Sequence, residues 1–115
     1  MTRLYRDYLV DILDAITKIE SFVAGVDFAS FQANDEKVYA VIRALEIIGE
    51  AAKFIPKKER DRFPEIPWQA VTGMRDKLIH GYFVVSLTRV WATVQRDLPP
   101  LKKVVEQMLS EQNPS

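Results

Sequence analysis

The sequence predicts an all-α fold, an up-and-down bundle of four to five helices. Apolar residues recur at helical spacing along almost every long segment, and no segment alternates as a half-buried strand would. The chain has 115 residues, of which 48% are hydrophobic and 28% charged, a balance typical of one globular domain. We expect this domain to span residues 1–110 and residues 111–115 to form a frayed tail.

The first helix is indicated by a single apolar stripe. Residues 4–23 place tyrosine, leucine, isoleucine and valine on one face and mainly aspartate on the other. Gly25 is a suitable C-terminal stop for this helix. Residues 27–33 then form a connector or a single turn.

The second helix is apolar on two sides. Asn34 or Asp35 can cap its start, and we expect it to run to about Ile55. Such a helix must be buried on two sides, either at the centre of the bundle or against a second copy of the chain. We interpret its one polar stripe as a set of ion pairs and as a candidate lining of a dimer cleft. The stripe consists of Arg43, Glu46, Glu50 and Lys53.

Prolines divide the second half of the chain. Pro56 ends the second helix, and Pro64 and Pro67 mark a rigid loop. Because proline suits the first helical turn, the third helix should begin at Pro67 or Trp68 and end near Gly81.

Ser86 can cap a fourth helix that runs to about Asp97. The proline pair at 99–100 should kink or restart this helix. A last helical stretch over residues 101–109 completes the bundle.

Composition excludes several classes of protein. Sixteen basic residues balance sixteen acidic ones, so the chain is not a polycation that coats nucleic acid or membrane. It has no cysteine, hence no disulfide and no thiol nucleophile. Its longest apolar runs, such as residues 38–42, are far shorter than the ~18 residues of a membrane span, and no apolar signal core follows the N-terminus. We therefore expect a cytoplasmic protein with no membrane association.

The candidate chemistry lies at the end of the third helix, whose core face consists of Val71, Met74 and Leu78. The single histidine, His80, falls roughly opposite that face. Asp76 precedes it by one helical turn and can accept a hydrogen bond from the ring. Arg75 is about 140° away around the helix, so two copies related by a two-fold axis would bring Arg75 and His80 to one phosphate more easily than one copy.

This set of residues suits the cleavage of RNA. Arg75 is a permanent cation whose fork fits phosphate oxygens, and His80 can exchange a proton near neutral pH. RNA supplies its own nucleophile, the 2′-hydroxyl, so no metal ion or cofactor is required. Glu46 and Glu50 do not suggest a di-metal site, because such bundles also need Glu-x-x-His pairs. The alternative for Arg75 and His80 is a surface ion pair with Asp76.

Residues 75–82 read R-D-K-L-I-H-G-Y, which resembles the R-x-x-x-x-H-x-Y signature of the HEPN superfamily. The chain resembles most closely the HepT toxins of the HepT/MntA toxin–antitoxin pairs, through residues 43–52 and 68–75 as well. The resemblance implies an all-α bundle that forms a homodimer, with an active cleft along the two-fold axis. It also implies a metal-independent ribonuclease that takes RNA as its substrate.

The resemblance also assigns roles to single residues. Arg75 and His80 would be catalytic, and Asp76 would assist them while adding a negative charge near the substrate phosphate. Tyr82 would accept AMP from an MntA-like nucleotidyltransferase antitoxin, and the added bulk and charge would silence the toxin. The alternative for Tyr82 is an anchor in the core.

Two other functions remain open from the residues alone. The chain could be a non-catalytic binding module that partners a minimal nucleotidyltransferase or binds a nucleotide. It could also be a plain structural dimerisation domain, in which case Arg75 and His80 would be replaceable without effect.

Overall fold

The computed structural model describes residues 3–74, 76 and 86–112, and it confirms the predicted all-α fold. No strand occurs among these residues. A π-helical turn over Thr93–Asp97 joins the last two helices. The helices are α1 (Tyr5–Val23), α2 (Phe28–Gln32), α3 (Asp35–Ala52), α4 (Lys57–Arg60), α5 (Trp68–Thr72), α6 (Leu87–Ala92) and α7 (Leu98–Gln112).

Helix α1 has the single buried face that its stripe predicts. At its start, the backbone N–H of Leu4 donates to the carboxylate of Asp7 over 2.9 Å. After its end, Gly25 adopts a φ of 70°, a left-handed conformation that favours glycine and turns the chain away. The predicted stop at Gly25 is therefore confirmed. The buried side chains of α1 are Leu9, Ile12, Ala15, Ile16 and Ile19.

The predicted connector at 27–33 contains the short helix α2. The Asp27 side chain caps it by accepting a hydrogen bond from the Ser30 N–H over 2.8 Å. Phe31 of this helix is fully buried and lies against Trp91, with the ring centroids 5.1 Å apart. The connector thus helps to fill the core between α3 and α6.

Helix α3 lies at the centre of the described structure and packs against α1, α2 and α5. Asn34 caps it, as predicted, by accepting from the Lys37 N–H over 3.1 Å. Its main apolar face is buried, and so are two residues of the second face, Ala44 and Ala51. The remainder of that second face is not fully covered, since Ile47 is half-buried and Phe54 is exposed.

The end predicted for α3 at Ile55 is wrong by three residues. The helix ends at Ala52, and the next residues form tighter turns. The N–H of Phe54 donates to the carbonyl of Ala51, and that of Ile55 to the carbonyl of Ala52. These bonds reach back three residues rather than four, which narrows the last turn before Pro56.

Apolar periodicity does not predict helix α4, because all four of its residues are charged. Pro56 precedes it, and the carbonyl of Pro56 accepts from the Glu59 N–H over 2.9 Å. Arg62, just after α4, pairs with Glu59 at 2.6 Å and with Glu111 of α7 at 2.8 Å. These ion pairs tie the short helix to the C-terminal end of the bundle.

The C-terminal part of the chain has the predicted helix cap at Ser86 and the predicted interruption near the proline pair. The Ser86 hydroxyl accepts from the Arg89 N–H over 3.2 Å and caps α6. The π-helical turn interrupts the helix immediately before α7, which carries the proline pair 99–100 in its first turn. Proline has no N–H to donate, so the regular hydrogen-bond ladder cannot continue through this pair. Helix α7 then packs along α1, and Lys102 contacts Glu20 at 3.0 Å.

Within residues 3–74, 76 and 86–112, none of the helices combines the length and the apolarity that crossing a bilayer requires.

Candidate functional site

The segment that leads into the candidate motif begins as predicted at Pro67 and Trp68. Helix α5 is held at its start by the Trp68 indole N–H, which donates to the carbonyl of Phe63 over 3.0 Å. Val71 of this helix is buried in the core. The single helix predicted from Pro67 or Trp68 to near Gly81 is wrong in its continuity, because α5 ends at Thr72 and the chain turns at Gly73, a poor helix former. The predicted end near Gly81 lies outside the described residues. An added Cβ at Gly73 would lie only 3.1 Å from the Gln69 carbonyl oxygen. A side chain at this position would therefore crowd the turn that precedes the motif.

The motif itself is only partly described. Arg75, His80 and Tyr82 lie outside the described residues, so their predicted roles stay predictions. Asp76 is helical, and its side chain is 56% exposed. The described part of the candidate site consists of Asp76 and the residues around it.

Asp76 is connected to the end of α3 through one lysine. The Lys53 ammonium lies 3.8 Å from Oδ1 of Asp76 and 3.6 Å from Oε2 of Glu50. Lys53 thus stands between two carboxylates and offsets part of their negative charge. Exposed pairs of this kind contribute only about 0–1 kcal/mol to stability, so their main effect here is on local charge and orientation.

The polar stripe of α3 forms the predicted ion pairs. Arg43 contacts Glu46 at 3.3 Å, and Lys53 contacts Glu50. The two members of the first pair differ in exposure, because the Arg43 side chain is 70% exposed and that of Glu46 only 18%. The predicted position of this stripe in a dimer cleft stays a prediction.

Three of the four stripe residues also line an open groove between α1 and α3. The groove has a volume of about 320 Å³. Residues at the start of α1 form the opposite wall, and Phe54, which follows Lys53 in the chain, also lines the groove. The lining residues are Arg3, Tyr8, Asp11, Arg43, Glu46, Ile47, Glu50, Ala51 and Phe54.

A stack of three side chains forms one end of this groove. The Tyr8 and Phe54 rings are nearly parallel, with centroids 4.4 Å apart and an angle of 9° between their planes. The Arg3 guanidinium lies over the Tyr8 ring at 4.7 Å and forms an ion pair with Asp11 at 2.7 Å. Stacking and cation–π attraction therefore hold both rings in place, although Phe54 is 52% exposed.

The sequence alone does not predict this stack. By periodicity alone, Tyr8 falls in the apolar stripe of the first helix, and Phe54 falls on the second apolar side of the second helix. The one sequence feature that points to the stack is Phe54, an aromatic residue that follows the charged Lys53 near the end of a predicted helix. The exposure of Phe54 depends on the angle at which α1 and α3 pack. The apolar periodicity of the two helices does not specify that angle.

Three of the described residues with shifted pKa values, Tyr5, Arg62 and Glu111, lie in or near α1, α4 and α7, and the fourth is Asp27, whose pKa is lowered by hydrogen bonds from Ser30 at the start of α2. Burial raises the pKa of the Tyr5 hydroxyl to about 12, and the nearby Glu59 carboxylate adds to the effect. Hydrogen bonds from Arg62 lower the pKa of Glu111 and raise that of Arg62 itself. The ion pair of Arg62 with Glu111 links the segment after α4 to α7, and none of these groups belongs to the motif.

Metal-ligating side chains do not gather in the described part of the chain. No three of its histidine, aspartate and glutamate residues come close enough together to hold an ion. Glu46 and Glu50 therefore gain no third ligand from residues 3–74, 76 and 86–112.

Comparison with known proteins identifies the class to which this bundle belongs. The family model described as "Ribonuclease HepT-like" matches residues 12–108. That range contains α3, the groove residues of α3 and the whole of the candidate motif. A helical bundle with an Arg-x-x-x-x-His-x-Tyr motif thus falls in a class of ribonucleases. The chain belongs to the HepT-like ribonuclease family, as its resemblance indicates.

Several relatives match nearly the whole chain. "Probable ribonuclease HepT" of Thermococcus cleftensis is 48% identical over 108 residues, which cover 94% of this chain and 98% of that protein. "Putative RNase MJ0125" of Methanocaldococcus jannaschii is 44% identical, over 90% of each chain. "Putative RNase TTE0752" of Caldanaerobacter subterraneus is 39% identical, over 93% of this chain and 96% of that protein. No solved structure gives a significant match.

Proposed function

We propose that this protein is an endoribonuclease that cleaves RNA without a metal ion, through Arg75 and His80 at a cleft between two copies of the chain. The observation that carries the proposal is the ribonuclease family match over residues 12–108, which contain the motif. The relatives named as ribonucleases support the same activity. The exposed position of Asp76, beside the motif arginine in sequence, is consistent with a site open to a large substrate.

The chemistry follows from what each side chain can do. Arg75 binds the phosphate and stabilises the charge that develops on it in the transition state. One His80 takes the proton of the 2′-hydroxyl, whose oxygen attacks phosphorus. The bond from phosphorus to the 5′-oxygen breaks, and the second His80 of the dimer gives that oxygen a proton. The products are a 2′,3′-cyclic phosphate and a 5′-hydroxyl end.

Asp76 orients His80 in this scheme by accepting a hydrogen bond from its ring. A carboxylate close to the substrate phosphate would also repel it. The Lys53 ammonium, 3.8 Å from Asp76, supports the assignment because it offsets this charge. A neutral side chain at position 76 would not repel the phosphate. Lys53 reduces the repulsion that the Asp76 carboxylate causes, and so allows an aspartate to act there.

Control of the activity is assigned to Tyr82. An MntA-like nucleotidyltransferase, the antitoxin of the pair, transfers AMP to the Tyr82 hydroxyl with release of pyrophosphate from ATP. The new phosphodiester adds bulk and a negative charge beside the cleft that RNA phosphates must enter. Modification then blocks substrate binding rather than altering the fold.

Growth arrest in a bacterial host tests the proposal. Expression of the parent chain alone should stop growth, and co-expression of the nucleotidyltransferase should restore it. His80→Ala should be harmless at the same protein level. Arrest by His80→Ala equal to that by the parent would overturn the assignment of His80, and absence of arrest by an unmodified parent would favour a non-catalytic binding module.

A further inference from the structure

The groove between α1 and α3 has no role in the chemistry described above. Phe54, which lines the groove, is the next residue after Lys53, and the Lys53 ammonium lies 3.8 Å from the motif residue Asp76. We propose that this groove binds a nucleobase of single-stranded RNA next to the cleaved phosphate, stacked on the Phe54 ring. The inference rests on the proposed ribonuclease function and adds a subsite to it.

The Phe54 ring is held in a position that suits the stacking of a nucleobase. One of its faces is covered by Tyr8 at 4.4 Å, and Tyr8 is in turn held by the Arg3 guanidinium. The ring is nevertheless 52% exposed, so its other side is open to a ligand. Proteins that bind single-stranded RNA commonly use an exposed, immobilised aromatic ring in this way.

The charges of the groove favour a base over a phosphate. Among the described residues that line it, the arginines are engaged in the ion pairs Arg3–Asp11 and Arg43–Glu46, and Glu50 contacts Lys53 at 3.6 Å. A phosphate would have to displace carboxylates from these cations. A nucleobase is neutral, and its N–H groups can donate to the carboxylates.

The same carboxylates predict which bases fit. Adenine, cytosine and guanine carry an exocyclic amino group that can donate to Glu46 or Glu50, whereas uracil does not. Glu46 is well placed for this, because its side chain is only 18% exposed and Arg43 holds one of its oxygens at 3.3 Å. The groove should therefore prefer bases with an amino group to uracil.

Binding of labelled oligoribonucleotides tests the subsite. Fluorescence anisotropy in EDTA would compare oligo(A), oligo(C) and oligo(U), in a His80→Ala background that keeps the RNA intact. Phe54→Leu should weaken oligo(A) binding about tenfold, since it keeps the apolar contact with Tyr8 but removes the π face. Tyr39→Leu is the matched control, because Tyr39 is an aromatic residue of α3 that is 70% exposed and outside the groove. Its effect should stay within about twofold.

A second variant tests whether Glu46 discriminates between bases. Glu46→Gln keeps the size of the side chain but can donate as well as accept, so the preference for oligo(A) over oligo(U) should decrease towards one. Thermal melting of each variant would establish that it is folded. Equal affinities of Phe54→Leu and the control, in a parent that binds and cleaves RNA, would overturn the subsite and leave the ribonuclease function intact.

Two further outcomes would also overturn the subsite. Conversion of a dimeric parent to a monomer by Phe54→Leu, seen by light scattering, would show that a second copy covers the groove. A parent with neither RNA binding nor cleavage would instead contradict the ribonuclease function on which the subsite depends.

Discussion

The ammonium of Lys53 lies 3.8 Å from the Oδ1 atom of Asp76, which connects the end of α3 to the one motif residue that the structure describes. The two residues are 23 positions apart in the chain. The contact offsets a negative charge at the position next to Arg75, where the substrate phosphate is expected to bind. Under the proposed function, Lys53 is a positioning residue, which acts on the site through Asp76.

Replacement of Lys53 should impair RNA binding more than stability. Lys53→Gln removes the cation, so the Asp76 carboxylate would repel the phosphate and KM for RNA should rise up to about fivefold. Lys53→Arg should restore most of the loss, because it restores the charge. Steady-state cleavage of a defined RNA, with kcat and KM measured separately, checks this expectation.

Two controls isolate the effect of Lys53. Lys57→Gln removes an equally charged residue whose ion-pair partner is Asp61, at 2.9 Å, rather than Asp76, and it should leave KM unchanged. Adding Asp76→Asn to Lys53→Gln should cancel the rise in KM, because no charge remains to be offset. A rise in KM that persists in the double variant would contradict the proposed role of Lys53.

Tyr5 should make the protein sensitive to alkaline pH. Burial raises the pKa of its hydroxyl from 10.0 to about 12, so the folded chain holds this proton at a pH where the unfolded chain has released it. The contribution of Tyr5 to stability is therefore complete below pH 10 and is lost as the pH rises from 10 to 12. After allowance for partial exposure we expect a loss of roughly 1 kcal/mol.

Tyr5→Phe should remove this part of the alkaline decline in the free energy of unfolding, measured by urea titration. At neutral pH the variant should be as stable as the parent or slightly more stable, because the Tyr5 oxygen is buried without a hydrogen-bond partner among the described residues. Tyr39→Phe, on an exposed ring, should leave the pH dependence unchanged. An identical alkaline decline in parent and Tyr5→Phe would show that other groups cause it.

The ion pair between Arg62 and Glu111 should stabilise the fold only above acidic pH. Hydrogen bonds from Arg62 lower the pKa of Glu111 below its ordinary value of 4.5. The stabilisation is therefore present above pH 4.5 and is lost as the pH falls through the lower pKa of the folded state. Glu111→Gln should lower Tm at pH 7, and the difference from the parent should vanish in acid.

Glu106→Gln is the control for this measurement, because Glu106 is exposed on the same helix. Its Tm should equal that of the parent at pH 7. High salt should also reduce the effect of Glu111→Gln, since the pair is exposed to solvent. A Tm difference that persists unchanged in strong acid would contradict an electrostatic origin.

Much of the fold follows from local sequence. The caps at Asp27, Asn34 and Ser86 are hydrogen bonds to a backbone N–H three residues later, and the stop at Gly25 depends on one residue's backbone freedom. Such features need no knowledge of tertiary structure. The periodic apolar stripes of α1 and α3 likewise identify their buried faces directly.

Features that depend on distant parts of the chain were not predictable in this way. Helix α4 is held through Arg62 by Glu111, which lies 49 residues away. The contact of Lys53 with Asp76 and the stack of Tyr8 with Phe54 arise only when separate helices pack. For the candidate site, the sequence indicates the chemistry of Arg75 and His80, while the neighbours of Asp76 come from the structure.

Cleavage of total RNA by the purified protein in EDTA, beside His80→Ala, tests the central claim most directly. Mass spectrometry must first establish that Tyr82 carries no AMP. We predict that the parent cleaves RNA and leaves cyclic phosphate ends, and that His80→Ala melts at the same temperature but does not cleave. Cleavage by His80→Ala at the rate of the parent, or none by an unmodified parent, would contradict the account.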